Sequence, residues 1–242
     1  MPPQEVLIMA MTRMRSGICT AGFINEPHPT SHLRWVRPVK EFGVLLLGDM
    51  TQANQRVVTI GDVVALNLIE ARPAAVHCED WLTDFVKQRP RIVRQFTEQK
   101  RAEFLAQYCD KTPADVLHHH SRSLCLIRPQ RLWANFSLDR YTEKYEARIG
   151  FQLDNRCYPE ENPQRGISVT DLKWRALGRT WLIQRQSEQL TLDQAGLHDR
   201  LQATAIYLSI GLSRPFEGKI WPLVIGVYPI PDYQVQIDYN QP

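Results

Sequence analysis

VVTIGDVVALNLIEARP, residues 57–73, is the stretch on which the fold turns. Ile60-Gly61-Asp62 reads as a turn between two strands, and VVALNLIE after it is long enough to cross a small barrel. The segments upstream agree. EVLIMAM (5–11) is an apolar run, and SGICTAGFI (16–24) mixes β-branched residues with glycines suited to a curving strand. HLRWVRPV (32–39) alternates Leu33 and Trp35 on one side with Arg34 and Val36 on the other. Short strands, tight glycines and no strand–helix–strand rhythm favour an antiparallel barrel over a doubly wound sheet.

Further along, CEDWLTDFVKQRPRIVRQFTEQKRAEFLAQY repeats apolar residues at helical spacing (Ile92, Val93, Phe96, then Phe104, Leu105, Tyr108), so residues 79–120 are expected to be a helical connector. Strands return at 123–137, 145–154 and 166–178, the last placing Lys173 and Arg175 together, opposite Trp174. A helix is expected around TLDQAGLHDRLQ, and two strands, TAIYLSIGLSRPF and WPLVIGVYPIP, close the chain.

Composition narrows the class. Of 242 residues, 43% are hydrophobic and 23% charged, which excludes wholesale disorder. No apolar run approaches the ~18 residues of a membrane span. The start, MPPQEVLIMAMTRMRS, lacks a basic segment before its apolar patch, so a cytoplasmic protein is expected, with no membrane partner. The five cysteines are scattered without a CxxC pair, which argues against a disulfide framework or a cysteine zinc site. Net charge is only +3, but 22 of the 29 cations are arginine, the side chain suited to bidentate phosphate contacts.

Three stretches together resemble a known family. WVRPV (35–39) follows the GICTAGF strand, VVALNLIEARPAAVHCEDWLTD (63–84) leads into an HxED segment, and AIYLSIGLSRPF…WPLVIGVYPIP (205–231) ends the barrel sequence. Their order and spacing are similar to the prokaryotic dual OB-containing domain family over nearly the whole chain. The resemblance implies two OB-like barrels in tandem, an association with prokaryotic conflict or defence systems, and a nucleic-acid or nucleotide-binding role. The chain departs from the family pattern at Cys78-Glu79-Asp80-Trp81.

Candidate binding residues follow from charge and aromatic crowding. In the first group, Arg34, Trp35, Arg37 and Lys40, Trp35 reads as core, whereas Arg37 is open to a phosphate contact or to pairing with a carboxylate such as Glu41. The run 87–101 sets six cations against Glu98 alone. On a helix, Arg91, Arg94 and Arg101 would lie on one side, with Arg89 and Lys100 nearby. Lys173 and Arg175, and Arg214 of a third Arg-Pro pair, complete the set. These guanidinium groups are expected to converge on an electropositive channel.

Other motifs carry less. His118-His119-His120 cannot all reach one ion from a regular element, and no HExxH is present, so no metal and no cofactor is expected. GxSxG and GxxxxGK[ST] are absent. His77, Glu79 and Asp80 could form a hydrolytic cluster, but Asp80 reads equally well as a helix cap.

The expected architecture is mainly β (α+β): an OB-like barrel at 1–78, a helical connector at 79–120 and a second OB-like barrel at 121–242. The expected function is non-catalytic binding of nucleic acid, single-stranded in preference, RNA or DNA, within a defence or nucleic-acid-processing assembly that includes other proteins. A nucleotide or modified-base sensor and a protein–protein assembly subunit are the alternatives.

Overall fold

The computed structural model describes residues 2–14, 16–25, 33–139, 141–215 and 217–239, and the chain is mainly β. It divides into two units, residues 1–101 with 114–124, and residues 102–113 with 125–242.

In the first unit, β1 (Gln4–Met14), β2 (Gly17–Asn25) and β3 (Leu33–Val39) form an antiparallel meander. β4 (Asp62–Leu66) lies on the far side of β1, and β6 (Asp80–Thr83) runs parallel to β3. With β5 (Leu68–Ala71) and β7 (Arg91–Gln95) the sheet has the order β5-β6-β3-β2-β1-β4-β7. β4 and β5 stand far apart in that order but are separated in the chain only by Asn67, so the sheet curls until one bent segment pairs with both β6 and β1. This is the 63–70 run read in sequence as one long strand. Its interior is built by alternate residues: Val6, Ile8, Ile24, Val36, Val64 and Leu66 are almost wholly buried, with Met50 from the β3–β4 loop beneath them. Register slips by one residue in β1 between Ile8 and Ala10. The bend brings β2 against the Leu7 carbonyl so closely that only a glycine fits at Gly22.

In the second unit, β9 (Arg131–Asp139), β10 (Lys144–Leu153) and β11 (Arg156–Tyr158) are consecutive antiparallel strands, with β12 (Ile167–Ser168) on β10 and β13 (Gln189–Leu192) on β9. β14 (Ala205–Leu212) pairs with β15 (Pro222–Ile230) and with β8 (Leu124–Ile127), which precedes β9 by three residues. A parallel bridge from Val169 to Val224 joins the two sheets. The α-helices among the described residues are α1 (Glu98–Gln107), α2 (Ala114–Leu117), α3 (Leu172–Arg185) and α4 (Gln194–Leu201). The core centres on Phe136, Phe151 and Trp174; Trp181 meets both Phe136 and Trp174 edge-on, at 5.7 and 6.0 Å between ring centroids.

Two expectations are corrected here. Residues 79–120 are helical only in α1 and α2; 80–83 and 91–95 are strands of the first sheet. Ile92 and Val93 are β-branched, and pairing with β4 outweighs a helical spacing that a five-residue run cannot establish. Lys173, Trp174 and Arg175 lie on α3, not on a strand. The cause is Asp171, whose Oδ1 accepts the N–H groups of Lys173 (2.8 Å) and Trp174 (3.3 Å) while Oδ2 accepts that of Val227 (2.9 Å). One buried carboxylate thus caps the helix and ties it to β15. Burial pushes its pKa up to about 6 although the three amide donors pull the other way.

Candidate nucleic-acid interface

The twelve candidate residues separate by burial. Trp35 is buried in the first unit and packs on Phe23 with ring centroids 4.0 Å apart, so it is no stacking platform for a base. Arg37 is buried beside it. Its Nε donates to Asp80 Oδ1 at 2.5 Å, and its backbone N–H to the Glu79 carbonyl at 2.7 Å. Its carboxylate partner is therefore Asp80, not Glu41, because β3 and β6 run parallel and set Arg37 opposite Asp80. Arg34 is half-buried, with its guanidinium 4.6 Å from the centroid of the Trp81 ring. Lys40 holds Asp49 at 3.0 Å. The exposed aromatic of this neighbourhood is Phe42, 81% accessible, two residues past Lys40.

In the second unit, Arg175 is buried against the Tyr145 ring (4.9 Å) and donates to the Val169 carbonyl. Lys173 is held by both oxygens of Asp232 at 2.8 Å and lies 4.4 Å from the Tyr233 centroid. Both serve the fold. Arg214 is exposed, in the β14–β15 loop, and has no ion pair among the described residues. The same loop presents half-exposed Trp221, with the Lys219 ammonium 5.8 Å from its ring, neither of which was singled out from sequence. Lys-x-Trp in a short hairpin was the available signal.

The basic run of the first unit keeps most of its charge at the surface. Arg101 is buried against Glu98, and Lys87 stands 3.7 Å from Asp84. Arg89, Arg91 and Lys100 are exposed and carry no ion pair among the described residues. Arg94 meets Glu5 at 2.6 Å, but both side chains are about half exposed, and such a pair is weak enough for an incoming anion to displace.

A register shift aligns these cations. On β7, Arg91 stands opposite Ala65, Ile92 opposite Val64 and Arg94 opposite Val63, which leaves Val93 as an extra residue. Cross-strand partners share a face, and Ala65 and Val63 are two apart, so the bulge brings Arg91 and Arg94 to the same face. Gln95 is on the other side, where its Nε2 donates to the buried Asp62 at 2.8 Å. The two arginines are thus spaced by about two strand residues, or ~7 Å.

In the segment 77–80 both carboxylates are engaged within the fold. Glu79 accepts from Ser123 Oγ (2.7 Å), Ser123 N–H (2.9 Å) and Leu124 N–H (3.1 Å). Asp80, engaged by Arg37, starts a strand rather than capping a helix. Cys78 beside them is exposed, and partial burial and the Glu79 charge raise its thiol pKa. Among the described residues no group of three His, Cys, Asp or Glu side chains is placed to hold a metal ion, and no helix is long and apolar enough to cross a membrane. His118 and His119 are exposed.

Curled β-sheets with few helices put the chain in the class of mainly β, OB-containing proteins. It belongs to the dual OB-containing domain family, whose model matches residues 4–227. No curated protein and no solved structure matches the chain.

Proposed function

We propose that this protein binds a nucleic-acid strand without transforming it, and that the exposed cations of β7 and the start of α1 hold the backbone phosphates. The observation that carries the proposal is the surface charge of residues 89–100: Arg89, Arg91 and Lys100 without ion pairs among the described residues, and Arg94 turned to the same face as Arg91. A fold gains nothing by leaving these cations uncompensated over a short stretch of chain, whereas a polyanion releases its counterions on meeting them.

Strand order supports the same proposal. In the first unit β1, β2, β3, β6 and the bent β5–β4 segment follow one another around the sheet and return to β1, with β3 and β6 parallel. In the second, β8–β9, β10, β12, β15 and β14 do the same and return to β8, with the parallel contact at Val169 and Val224. Five strands in this order are what a Greek-key OB barrel would require, and OB barrels bind oligonucleotides. Two tandem OB-type barrels, and a place in a prokaryotic defence or nucleic-acid-processing assembly, are part of this proposal. Single strands are the preferred ligand, with exposed aromatic groups such as Phe42 open to bases.

Fluorescence anisotropy of labelled single-stranded DNA and RNA over a range of salt concentrations tests the proposal. Binding that weakens steadily with salt is expected; no binding at low salt, or binding indifferent to salt, overturns it.

A further inference from the structure

Within the second unit, a cavity of about 290 Å³ opens where the β8–β9 bend, α4 and the start of β14 meet. Its construction is legible residue by residue. Asp193 caps α4 by accepting the Gly196 N–H at 2.8 Å, which sets Gln194 in the first turn and His198 four residues later on the same helix face. Both line the cavity, while Leu197 and Leu201 of α4 are buried. On the opposite wall Gln130 and Leu132 alternate onto one side at the start of β9, and buried Ile206 of β14 adds to the apolar floor. Arg128 stands exposed at the mouth, 5.7 Å from the Tyr207 ring centroid.

The chemistry of the lining is selective. It contains one permanent cation and no carboxylate, so an anionic group is favoured at Arg128. Gln194 offers an amide donor and an acceptor, and His198 adds ring nitrogens. Gln130 keeps its amide donors, because its Oε1 is the atom that accepts from the Asn155 N–H. Such a set matches the mixed donor–acceptor edge of a nucleobase. Leu132 and Ile206 supply the apolar surface on which its ring would rest. The volume stands at the lower end of the range for small-molecule pockets, enough for one nucleotide unit.

We propose that this cavity is a nucleoside-monophosphate site, with phosphate at Arg128 and the base edge read by Gln194, His198 and Gln130. The unit it takes is either a free nucleotide or the phosphorylated terminal nucleotide of a strand. This inference is independent of the β7 surface, since every residue involved belongs to the other unit.

The test is calorimetric titration of the full chain with the four common ribonucleoside monophosphates, their parent nucleosides and inorganic phosphate. At least one monophosphate is expected to saturate the site and to bind about tenfold or more tightly than its nucleoside and than phosphate alone. Arg128→Gln, at an exposed side chain, should weaken it about 10–100-fold. Gln194→Ala should weaken the monophosphate while leaving the weak affinity for phosphate alone unchanged. An R89A/R91A/K100A variant must bind the monophosphate as well as the wild type does, so loss of strand binding and loss of this site are read separately. In that variant, 5′-phosphorylated and unphosphorylated oligonucleotides distinguish a strand end from a free nucleotide: a preference for the phosphorylated end that R128Q removes identifies the former, and its absence the latter. No saturation by any monophosphate at millimolar concentration overturns the proposal. So does phosphate binding as tightly as every monophosphate, or wild-type affinity in both R128Q and Q194A.

Discussion

The sharpest prediction concerns the triple substitution R89A/R91A/K100A. All three side chains are exposed, so the fold should survive their removal with a stability change within about ±0.5 kcal/mol per site. If each neutralises one phosphate of a bound single strand, the slope of log K against log salt becomes shallower by about 0.7 for each cation removed, or roughly 2 in total. Between 50 and 200 mM salt, the ratio of wild-type to variant affinity should then shrink by roughly 20-fold. Arg94, tied to Glu5, is left in place so that the ion pair is not disturbed. Anisotropy titrations of a labelled oligonucleotide at four salt concentrations measure both slopes, and circular dichroism checks the fold. A variant whose slope equals that of the wild type refutes the phosphate contact at these residues, whatever its affinity. The single substitution R214A, in the other unit, tests the remaining unpaired candidate by the same slope and is expected to change it by no more than about 0.7.

Three further outcomes test the fold. Breaking the buried Arg37–Asp80 pair with R37M should cost about 3–5 kcal/mol in urea unfolding, and R37M/D80L should recover part of the loss because the buried carboxylate is removed with its cation; a loss under 1 kcal/mol would contradict it. For Asp171 the folded pKa, about 6, stands above the ordinary 3.8, so the folded state binds the extra proton between those values. The stability this carboxyl contributes is therefore complete below the lower value and is lost as pH rises through about 6. Wild type should gain on D171N by up to roughly 3 kcal/mol as pH falls from 7 to 4, and a gap that narrows on acidification refutes the assignment. A methyl group at Gly178 would collide with the Phe136 ring and the Tyr145 hydroxyl, so G178A should lose about 1–3 kcal/mol. G48A, where a methyl group meets nothing, should unfold at the wild-type temperature.

The strands of the first unit were legible as short, nearly continuous apolar runs: β1, most of β2 and all of β4 are buried on both faces, and the VVAL of β4 is too short and too β-branched for a helix. α3 was not. Its helical pattern, Leu172, Leu177, Trp181 and Leu182, extends past Gly178, which reads as the end of a strand. Gly178 is a glycine because Phe136 leaves no room for a side chain, a cause in β9 and invisible along α3 itself. β7 was missed for a related reason. Five residues containing three apolar or amide groups fit either period, and the choice was made by pairing with β4.

From the order of its residues alone, the chain determined a mainly β character, a family resemblance borne out over residues 4–227, and an arginine-rich cation set with Glu98 as the lone acid in the 87–101 run. Tertiary structure decided which of those cations are still at the surface. Arg37 and Asp80 are 43 positions apart, Lys173 and Asp232 are 59 apart, and only the folded strands bring either pair together. A charge is spent or available according to what stands within a few ångströms of it, and that distance is a property of the packed chain.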